Sequence, residues 1–89
     1  MITGQDEVVK FKKNVLIKFG QHIVELRRSQ NITSAELARR SDLTASNMSR
    51  MEMGRSNPTL ITLIKIANAF CTSLEGLMKG FCFGKHRPL

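Results

Sequence analysis

The sequence predicts an all-α fold in which five short helices surround one hydrophobic core. Apolar residues recur at intervals of three and four along most of the chain, which is the spacing of helices that bury one face. No run alternates apolar and polar residues for long enough to indicate a strand. The 89 residues are enough for one compact domain, and short links between the helices favour a single core with steep helix crossings.

The first helix is predicted from an apolar face near the N-terminus. The spacing leaves its start open between Glu7 and Lys13, while Asn31 is expected to end it in a left-handed conformation. We therefore divide the chain into three parts: an N-terminal extension (residues 1–12), a helix-turn-helix domain (residues 13–79) and a C-terminal tail (residues 80–89). The extension is expected to be frayed at its start, and it lengthens the first helix if that helix begins early. The residues of the apolar face are Val8, Phe11, Val15, Phe19, Ile23 and Leu26.

The second helix is predicted to begin with a capping box. The Thr33 hydroxyl would accept from an early amide, and Glu36 would reach back to the Thr33 amide. Leu37 and Ala38 then point inward, and the helix stops near Ser41. The third helix follows almost at once, from about residue 44 to residue 53.

The third, fourth and fifth helices are each preceded by a hydroxyl residue that can cap them. Thr44 caps the third, which ends at Gly54, and Thr59 caps the fourth. The fifth begins at Thr72 or Ser73, because residues 72–75 again have capping-box form. The residues expected to face the core are Met48 and Met51 in the third helix, Leu60, Leu63, Ile66, Ala67 and Phe70 in the fourth, and Leu74 and Leu77 in the fifth.

The second and third helices form the most informative unit. Only Asp42 and Leu43 separate them, which suits two helices crossing steeply, as in a helix-turn-helix. If Met48 and Met51 face the core, the outward residues of the third helix are short, polar or small. Such an edge fits a major groove, where side chains must approach base edges closely. The alternative is a capped surface segment of low helix propensity.

The charge of the chain points to anionic partners. There are 14 Lys and Arg against 7 Asp and Glu, a formal net charge of +7. Such a chain attracts phosphate polymers and anionic membrane surfaces, although ordinary solubility charge is an alternative. No stretch approaches the roughly 18–20 apolar residues of a membrane span, and no signal-peptide pattern begins the chain. We therefore expect a cytoplasmic protein with no membrane partner.

Catalytic and metal chemistry is not indicated. The two cysteines, Cys71 and Cys82, are too few for a disulfide scaffold, and Cys71 is expected in the core. Together with His86 the two cysteines could supply three metal ligands, but no fourth ligand is within reach in the sequence. His22 is interpreted as an ordinary histidine. The chain has no Gly-rich phosphate loop, paired carboxylates or nucleophile with a base, so we expect no enzyme, cofactor or metal site.

Five stretches, taken in order, closely resemble the Cro/C1-type helix-turn-helix family, also called XRE-like regulators. They are IVELR at residues 23–27, ITSAELA at 32–38, MSRMEMG at 48–54, NPTL at 57–60 and LIKIA at 63–67. The resemblance implies a compact five-helix, lambda-repressor-like DNA-binding domain whose helix-turn-helix is formed by helices 2 and 3. It also implies a sequence-specific regulator of transcription, usually a repressor, that binds double-stranded DNA.

The resemblance also implies roles for individual residues. The base-reading positions of the family fall on Thr44, Ala45, Ser46 and Arg50. Ala45 offers no hydrogen bond, so Arg50, bidentate to guanine, is the main candidate for direct readout. Family positions that touch phosphate fall on Asn47 and Ser34, where Gln is usual. The positive charge of the chain and its neutral donors add candidate backbone contacts at Arg39, Arg40, Arg55, Asn57 and Thr59.

Two further expectations concern the scaffold. In the family, an acidic residue at the position of Glu52 pairs with an arginine at the position of Arg27, whereas a solvated glutamate is the alternative. Asp42 stands where Gly is common, and Asp tolerates the left-handed conformation better than most residues.

Dimers are expected, because a domain this small buries little surface alone and two recognition helices about 34 Å apart would read one palindromic operator. The seam is left open between the N-terminal extension, with Val8 and Phe11, and the segment of Phe81 and Phe83. Local packing of these residues is the alternative to a seam. The alternative function is an antitoxin-like or protein-interaction module that uses these surfaces to bind a protein partner.

Overall fold

The computed structural model describes residues 4–81, with side chains from Glu7 onwards. Every regular element in this range is an α-helix, which confirms the predicted fold class. The helices are α1 (Gly4–Ser29), α2 (Ser34–Arg40), α3 (Ala45–Glu52), α4 (Leu60–Ala69) and α5 (Leu74–Met78).

The first helix begins earlier than either predicted start. It is helical from Gly4 and runs for 26 residues, so the N-terminal extension lengthens this helix, as expected if the helix began early. The apolar face joins the core only in the second half of the helix, where Phe19 and Ile23 are buried. Val8 and Phe11 are 49% and 58% exposed, so this part of the apolar face lies outside the core. As predicted, the left-handed residue Asn31 (φ 57°) follows the helix.

A hydroxyl caps each of the four shorter helices. The Oγ atoms of Thr33, Thr44, Thr59 and Ser73 each accept from the amide three residues later, at 3.0–3.1 Å. The cap of α5 is therefore Ser73, and the capping box predicted at residues 72–75 is wrong because it would need Thr72 as the cap. The predicted return of Glu36 to the Thr33 amide is also wrong, since both carboxylate oxygens bind arginines instead.

The core lies where α1 crosses the helix-turn-helix and α4 and α5 close the other side. Its central side chains are those of Ile23, Leu37, Met48, Ile66 and Leu77, all of which are fully buried. The amphipathic spacing predicted each of these residues.

Two residues predicted to be in the core are exposed. Leu60 is the first residue of α4, and its side chain is 60% exposed, because a residue in the first turn points away before the buried face begins. Cys71 is exposed with φ 58°. It ends α4 in the left-handed conformation, and the next amide, that of Thr72, returns to the Ala67 carbonyl at 2.9 Å. This C-terminal motif turns its middle residue outward.

The end of the described chain folds back on α1. His22 Nε2 lies 2.8 Å from the Leu77 carbonyl oxygen, and the Phe81 ring packs edge-on against Phe19, with centroids 5.8 Å apart. Local packing is thus the correct alternative for Phe81. Phe83, Cys82 and His86 lie outside the described residues.

Candidate nucleic-acid interface

The turn between α2 and α3 sets the crossing of the two helices. Asp42 takes the left-handed conformation (φ 56°), as predicted for this position. The next amide, that of Leu43, donates to the Ala38 carbonyl at 2.9 Å. The buried Ala38 therefore lies at the turn where the backbones approach, and α3 starts immediately after Thr44.

The inward side of α3 is held closely by the core and by α1. Met48 is 0% and Met51 3% exposed. A Cβ atom on Gly20 would lie 2.5 Å from the Glu52 carbonyl oxygen and 2.6 Å from that of Met51. No residue larger than glycine fits between α1 and the end of α3, so these helices pack backbone to backbone.

The opposite side of α3, which we call the α3 edge, is exposed from end to end. It consists of Thr44, Ala45, Ser46, Asn47, Ser49 and Arg50. The structure therefore brings all four predicted base-reading residues onto one exposed edge. Among residues 7–81, no acidic side chain forms an ion pair with Arg50. The contact of these four base-reading residues with DNA bases stays a prediction.

Three predicted backbone contacts lie close together beside α3. Asn47, Asn57 and Thr59 line one small cleft of about 220 Å³ between α3 and the start of α4. Arg55 precedes this cleft in the chain, is exposed, and its amide donates to the Arg50 carbonyl at 2.8 Å. The loop after α3 thus adds one cation and several neutral polar groups next to the α3 edge.

The two arginines of α2 that were predicted to contact phosphate, Arg39 and Arg40, are both ion-paired with Glu36, whereas Arg50 and Arg55 have no ion pair among residues 7–81. Glu36 Oε2 lies 2.6 Å from Arg39 Nη2 and 2.8 Å from Arg40 Nε, and Oε1 lies 3.0 Å from Arg39 Nε. Hydrogen bonds from Arg39, and next from Arg40, lower the pKa of Glu36 to about 2. This cluster was not predicted from the sequence, although the spacing of three and four residues along one helix was the signal for it. Ser34, at the start of α2, is half-buried.

Arg27 and Glu52 form the ion pair expected between α1 and α3. Arg27 Nε lies 2.8 Å from Glu52 Oε2 and Nη2 lies 3.2 Å from Oε1, while Nη1 donates to the Ile32 carbonyl. Both side chains are largely buried, at 14% and 10% exposure. The hydrogen bond with Glu52 raises the pKa of Arg27. The pair joins the end of α1 to the last turn of α3.

Comparison of the sequence with models of known protein families identifies the family of this chain. A model described as helix-turn-helix (HTH_3) matches residues 23–77, which cover more than half of the chain and include all of α2 to α4. The chain belongs to the HTH_3 helix-turn-helix family. The resemblance to XRE-like regulators is therefore confirmed.

Individual relatives agree with this assignment to HTH_3. The chain is 39% identical over 54 residues, 61% of its length and 70% of the relative's, to an uncharacterized HTH-type transcriptional regulator, y4dJ, from Sinorhizobium fredii. Among solved structures, the restriction-modification controller protein C.AhdI from Aeromonas hydrophila matches with a TM-score of 0.67 and 34% identity, over 70% of this chain and 94% of that one.

Two further structures extend the comparison of the fold. An HTH_3 family transcriptional regulator from Vibrio cholerae matches with a TM-score of 0.68 and 25% identity, over 82% of this chain and 39% of that one. The clp gene regulator ClgR from C. glutamicum matches with a TM-score of 0.67 over 79% of this chain and 96% of that one, and at 19% identity it supports the fold alone. Together the comparisons support a DNA-binding transcription regulator, and the family and these neighbours are regulators rather than enzymes.

Membrane-spanning helices and metal clusters are two other features to consider in residues 4–81, the part of the chain that the structure describes. No helix there is long and apolar enough to cross a membrane. No three His, Cys, Asp or Glu side chains there are grouped so as to hold a metal ion.

Proposed function

We propose that this HTH_3 protein is a sequence-specific regulator of transcription that inserts the α3 edge into the major groove of double-stranded DNA. The observation that carries the proposal is the contrast between the two sides of α3. One side is sealed by Met48 and Met51, and the other presents short polar groups and one arginine without an acidic partner among the described residues.

Within this proposal, the direct readout of bases depends mainly on Arg50. Its guanidinium can donate two parallel hydrogen bonds to guanine O6 and N7. Thr44 and Ser46 add hydroxyl contacts, and Ala45 can pack on a thymine methyl group. Because few side chains carry sequence information, the shape and deformability of the duplex supply part of the specificity.

The remaining polar residues position the protein on the phosphate backbone. Asn47, Asn57 and Thr59 line one cleft beside α3 and act as neutral donors to phosphate, with Arg55 as the nearest added cation. Ser34 donates at the start of α2. Arg39 and Arg40 attract the duplex more weakly, since each shares its charge with Glu36.

We further propose that the protein acts in the cytoplasm as a homodimeric repressor on a palindromic operator. One copy of the domain presents a single short α3 edge, which can contact only the few base pairs of one half-site. Two copies related by a two-fold axis, with their α3 helices about 34 Å apart, would read two half-sites one duplex turn apart.

Selection from a random pool of duplexes tests the proposal. We expect enrichment of one motif with two inverted half-sites. Arg50→Ala should then lower the affinity for the selected duplex about 5- to 150-fold, the loss of about 1–3 kcal/mol of readout. Its affinity for unselected duplex should change less than about threefold, since the lost contact is to a base.

Arg28→Ala is the matched control, because Arg28 is also an exposed arginine and belongs to α1, not to the α3 edge. It should leave the selected motif and its relative affinity unchanged. No enrichment of any motif, or equal losses on selected and unselected duplexes for Arg50→Ala, would contradict sequence-specific readout.

A further inference from the structure

The four arginines that are candidate DNA contacts fall into two electrostatic classes. Arg50 and Arg55 form no ion pair among residues 7–81, whereas Arg39 and Arg40 are both bound to Glu36. We call the side chains of Glu36, Arg39 and Arg40 the α2 cluster. Two cations and one anion leave the cluster with a single net positive charge, so one carboxylate offsets part of the charge of two arginines.

We propose that Glu36 is an internal competitor of the DNA phosphates, which occupies the guanidinium groups of Arg39 and Arg40 and so lowers the affinity of the protein for duplex of any sequence. The inference rests on the proposed function, in which α2 contributes contacts to the phosphate backbone. It adds a residue that limits how tightly the protein holds DNA without reading its bases.

The geometry of the α2 cluster is the first argument for competition. Arg39 donates from Nε and Nη2 to the two carboxylate oxygens of Glu36, at 3.0 and 2.6 Å. Two parallel N–H groups facing two oxygens are also the arrangement in which a guanidinium binds a phosphate group. Arg40 donates from Nε to Glu36 Oε2 at 2.8 Å. A phosphate that approaches either arginine therefore meets donors that are already in use.

The cluster is also accessible to a large polyanion. Leu37 and Ala38 bury the inner side of α2, whereas the Arg39 and Arg40 side chains are 72% and 42% exposed. Because the arginines lie at the surface, they can exchange one anion for another without unfolding α2. Glu36 and phosphate therefore compete for the same two exposed cations.

The exchange of Glu36 for phosphate has two costs. Each guanidinium gives up a carboxylate to gain a phosphate, so the net gain is smaller than for a cation without an acidic partner. The released carboxylate then stays next to the phosphates and repels them, since a glutamate is ionised at neutral pH with or without the arginines. Both costs fall on phosphate contacts, which supply essentially all of the sequence-independent binding.

Fluorescence anisotropy with an unselected duplex at several salt concentrations tests the inference. Glu36→Gln keeps the shape of the side chain and removes its charge. We expect it to raise the affinity about tenfold at about 50 mM salt, and to steepen the slope of log K against log salt by about 1–2, because up to two further phosphates are contacted. The motif selected from a random pool should stay the same, since the α3 edge is unchanged.

Glu25→Gln is the matched control. Glu25 is exposed on α1 and forms no ion pair among residues 7–81, so its loss changes the net charge equally without releasing an arginine. The affinity should stay within about threefold of the wild-type value, because the charges of separate surfaces are screened by salt.

A second comparison removes the two arginines. In a chain that carries Arg39→Ala and Arg40→Ala, the addition of Glu36→Gln should change the affinity no more than Glu25→Gln does. Equal effects of Glu36→Gln and Glu25→Gln in the wild-type chain, or a gain from Glu36→Gln that persists without the arginines, would overturn the inference.

Folding is checked separately, because ion pairs three and four residues apart also support a helix. Circular dichroism is recorded for each variant. If Glu36→Gln loses helix, Glu36→Ala repeats the test with a residue of higher helix propensity.

The outcomes separate this inference from the proposed function. If Glu36→Gln tightens binding to unselected duplex but no motif is selected, Glu36 competes with phosphate in a protein that does not read sequence, and the proposed function fails. If a motif is selected and Glu36→Gln behaves like Glu25→Gln, the proposed function stands and the inference is wrong. No binding of duplex by either the wild type or Glu36→Gln would overturn both.

Discussion

Helices α3 and α4 follow each other in the chain and contribute to the same core, yet their outer sides are opposite in character. Met48 of α3 and Ile66 of α4 are both fully buried. Outside, α3 presents hydroxyl, amide and guanidinium groups, whereas α4 presents leucine and isoleucine. The comparison shows that the inward side of each helix is fixed by the shared fold, while the outer side determines what each helix can bind.

The two helices also differ in how they are held. The end of α3 touches the backbone of α1 at Gly20 and is joined to α1 by the pair of Arg27 and Glu52. These contacts fix the position of α3 relative to the domain, as a probe that enters a groove requires. Disturbing these contacts should therefore weaken DNA binding, because α3 would no longer be held in one position.

The largest expected effect is that of Gly20→Ala. Its new Cβ would lie 2.5 Å from the Glu52 carbonyl oxygen, so α1 and α3 must separate, and we expect a loss of about 3 kcal/mol or more in the free energy of unfolding. Urea denaturation measures this loss.

Gly80→Ala is the control for Gly20→Ala. Its Cβ would meet nothing within 4 Å, but φ there is +85°, so a loss of only about 1–2 kcal/mol is expected. Gly20 lies within α1 at an ordinary helical φ, where Ala is preferred over Gly. A loss at Gly20 no larger than that at Gly80 would therefore show that α1 and α3 can separate at little cost and that their close contact does not explain the role of Gly20.

The next effect is that of Glu52→Gln, which leaves Arg27 without its carboxylate partner. Because both side chains are largely buried, we expect a loss of about 2–3 kcal/mol in the free energy of unfolding. The affinity for the selected duplex should also fall, since the last turn of α3 is no longer tied to α1. Glu25→Gln, at an exposed position of α1, should change stability by less than about 0.5 kcal/mol. A Glu52→Gln protein as stable as wild type would show that the pair does not support α3.

The smallest effect concerns the salt dependence of DNA binding. Arg55 has no acidic partner among residues 7–81, whereas Arg39 is paired with Glu36. That carboxylate stays ionised at neutral pH because its pKa is lowered to about 2. Arg55→Ala should therefore reduce the slope of log K against log salt by about 1, and Arg39→Ala by clearly less. Fluorescence anisotropy at several salt concentrations measures both slopes, and the reverse order would show that Glu36 releases Arg39 on binding.

The sequence was sufficient for the existence of the five helices, for the caps Thr33, Thr44 and Thr59 and for the α3 edge, because each depends on residues a few positions apart. Met48 and Met51, three residues apart, already defined which side of α3 faces the core. Leu60 followed the same period and was misplaced, because periodicity does not show where along a helix its neighbours begin.

The errors elsewhere have similar physical causes. Cys71 was expected in the core, but the backbone conformation that ends α4 turns it outward. The contact of His22 with the Leu77 carbonyl joins residues 55 positions apart, and no local pattern predicts it. The apolar outer side of α4 was likewise hidden, since the sequence shows isoleucines but not which of them the fold leaves uncovered.

The central claim is that the α3 edge, and not another surface of this basic protein, meets DNA bases. Amide chemical shifts of the ¹⁵N-labelled protein, recorded with and without its selected duplex, test this claim most directly. The account predicts the largest changes at residues 44–50, smaller changes at residues 55–59, and little change along α5. Changes centred on the lysines of α1, with the amides of Ser46 and Arg50 unmoved, would contradict it.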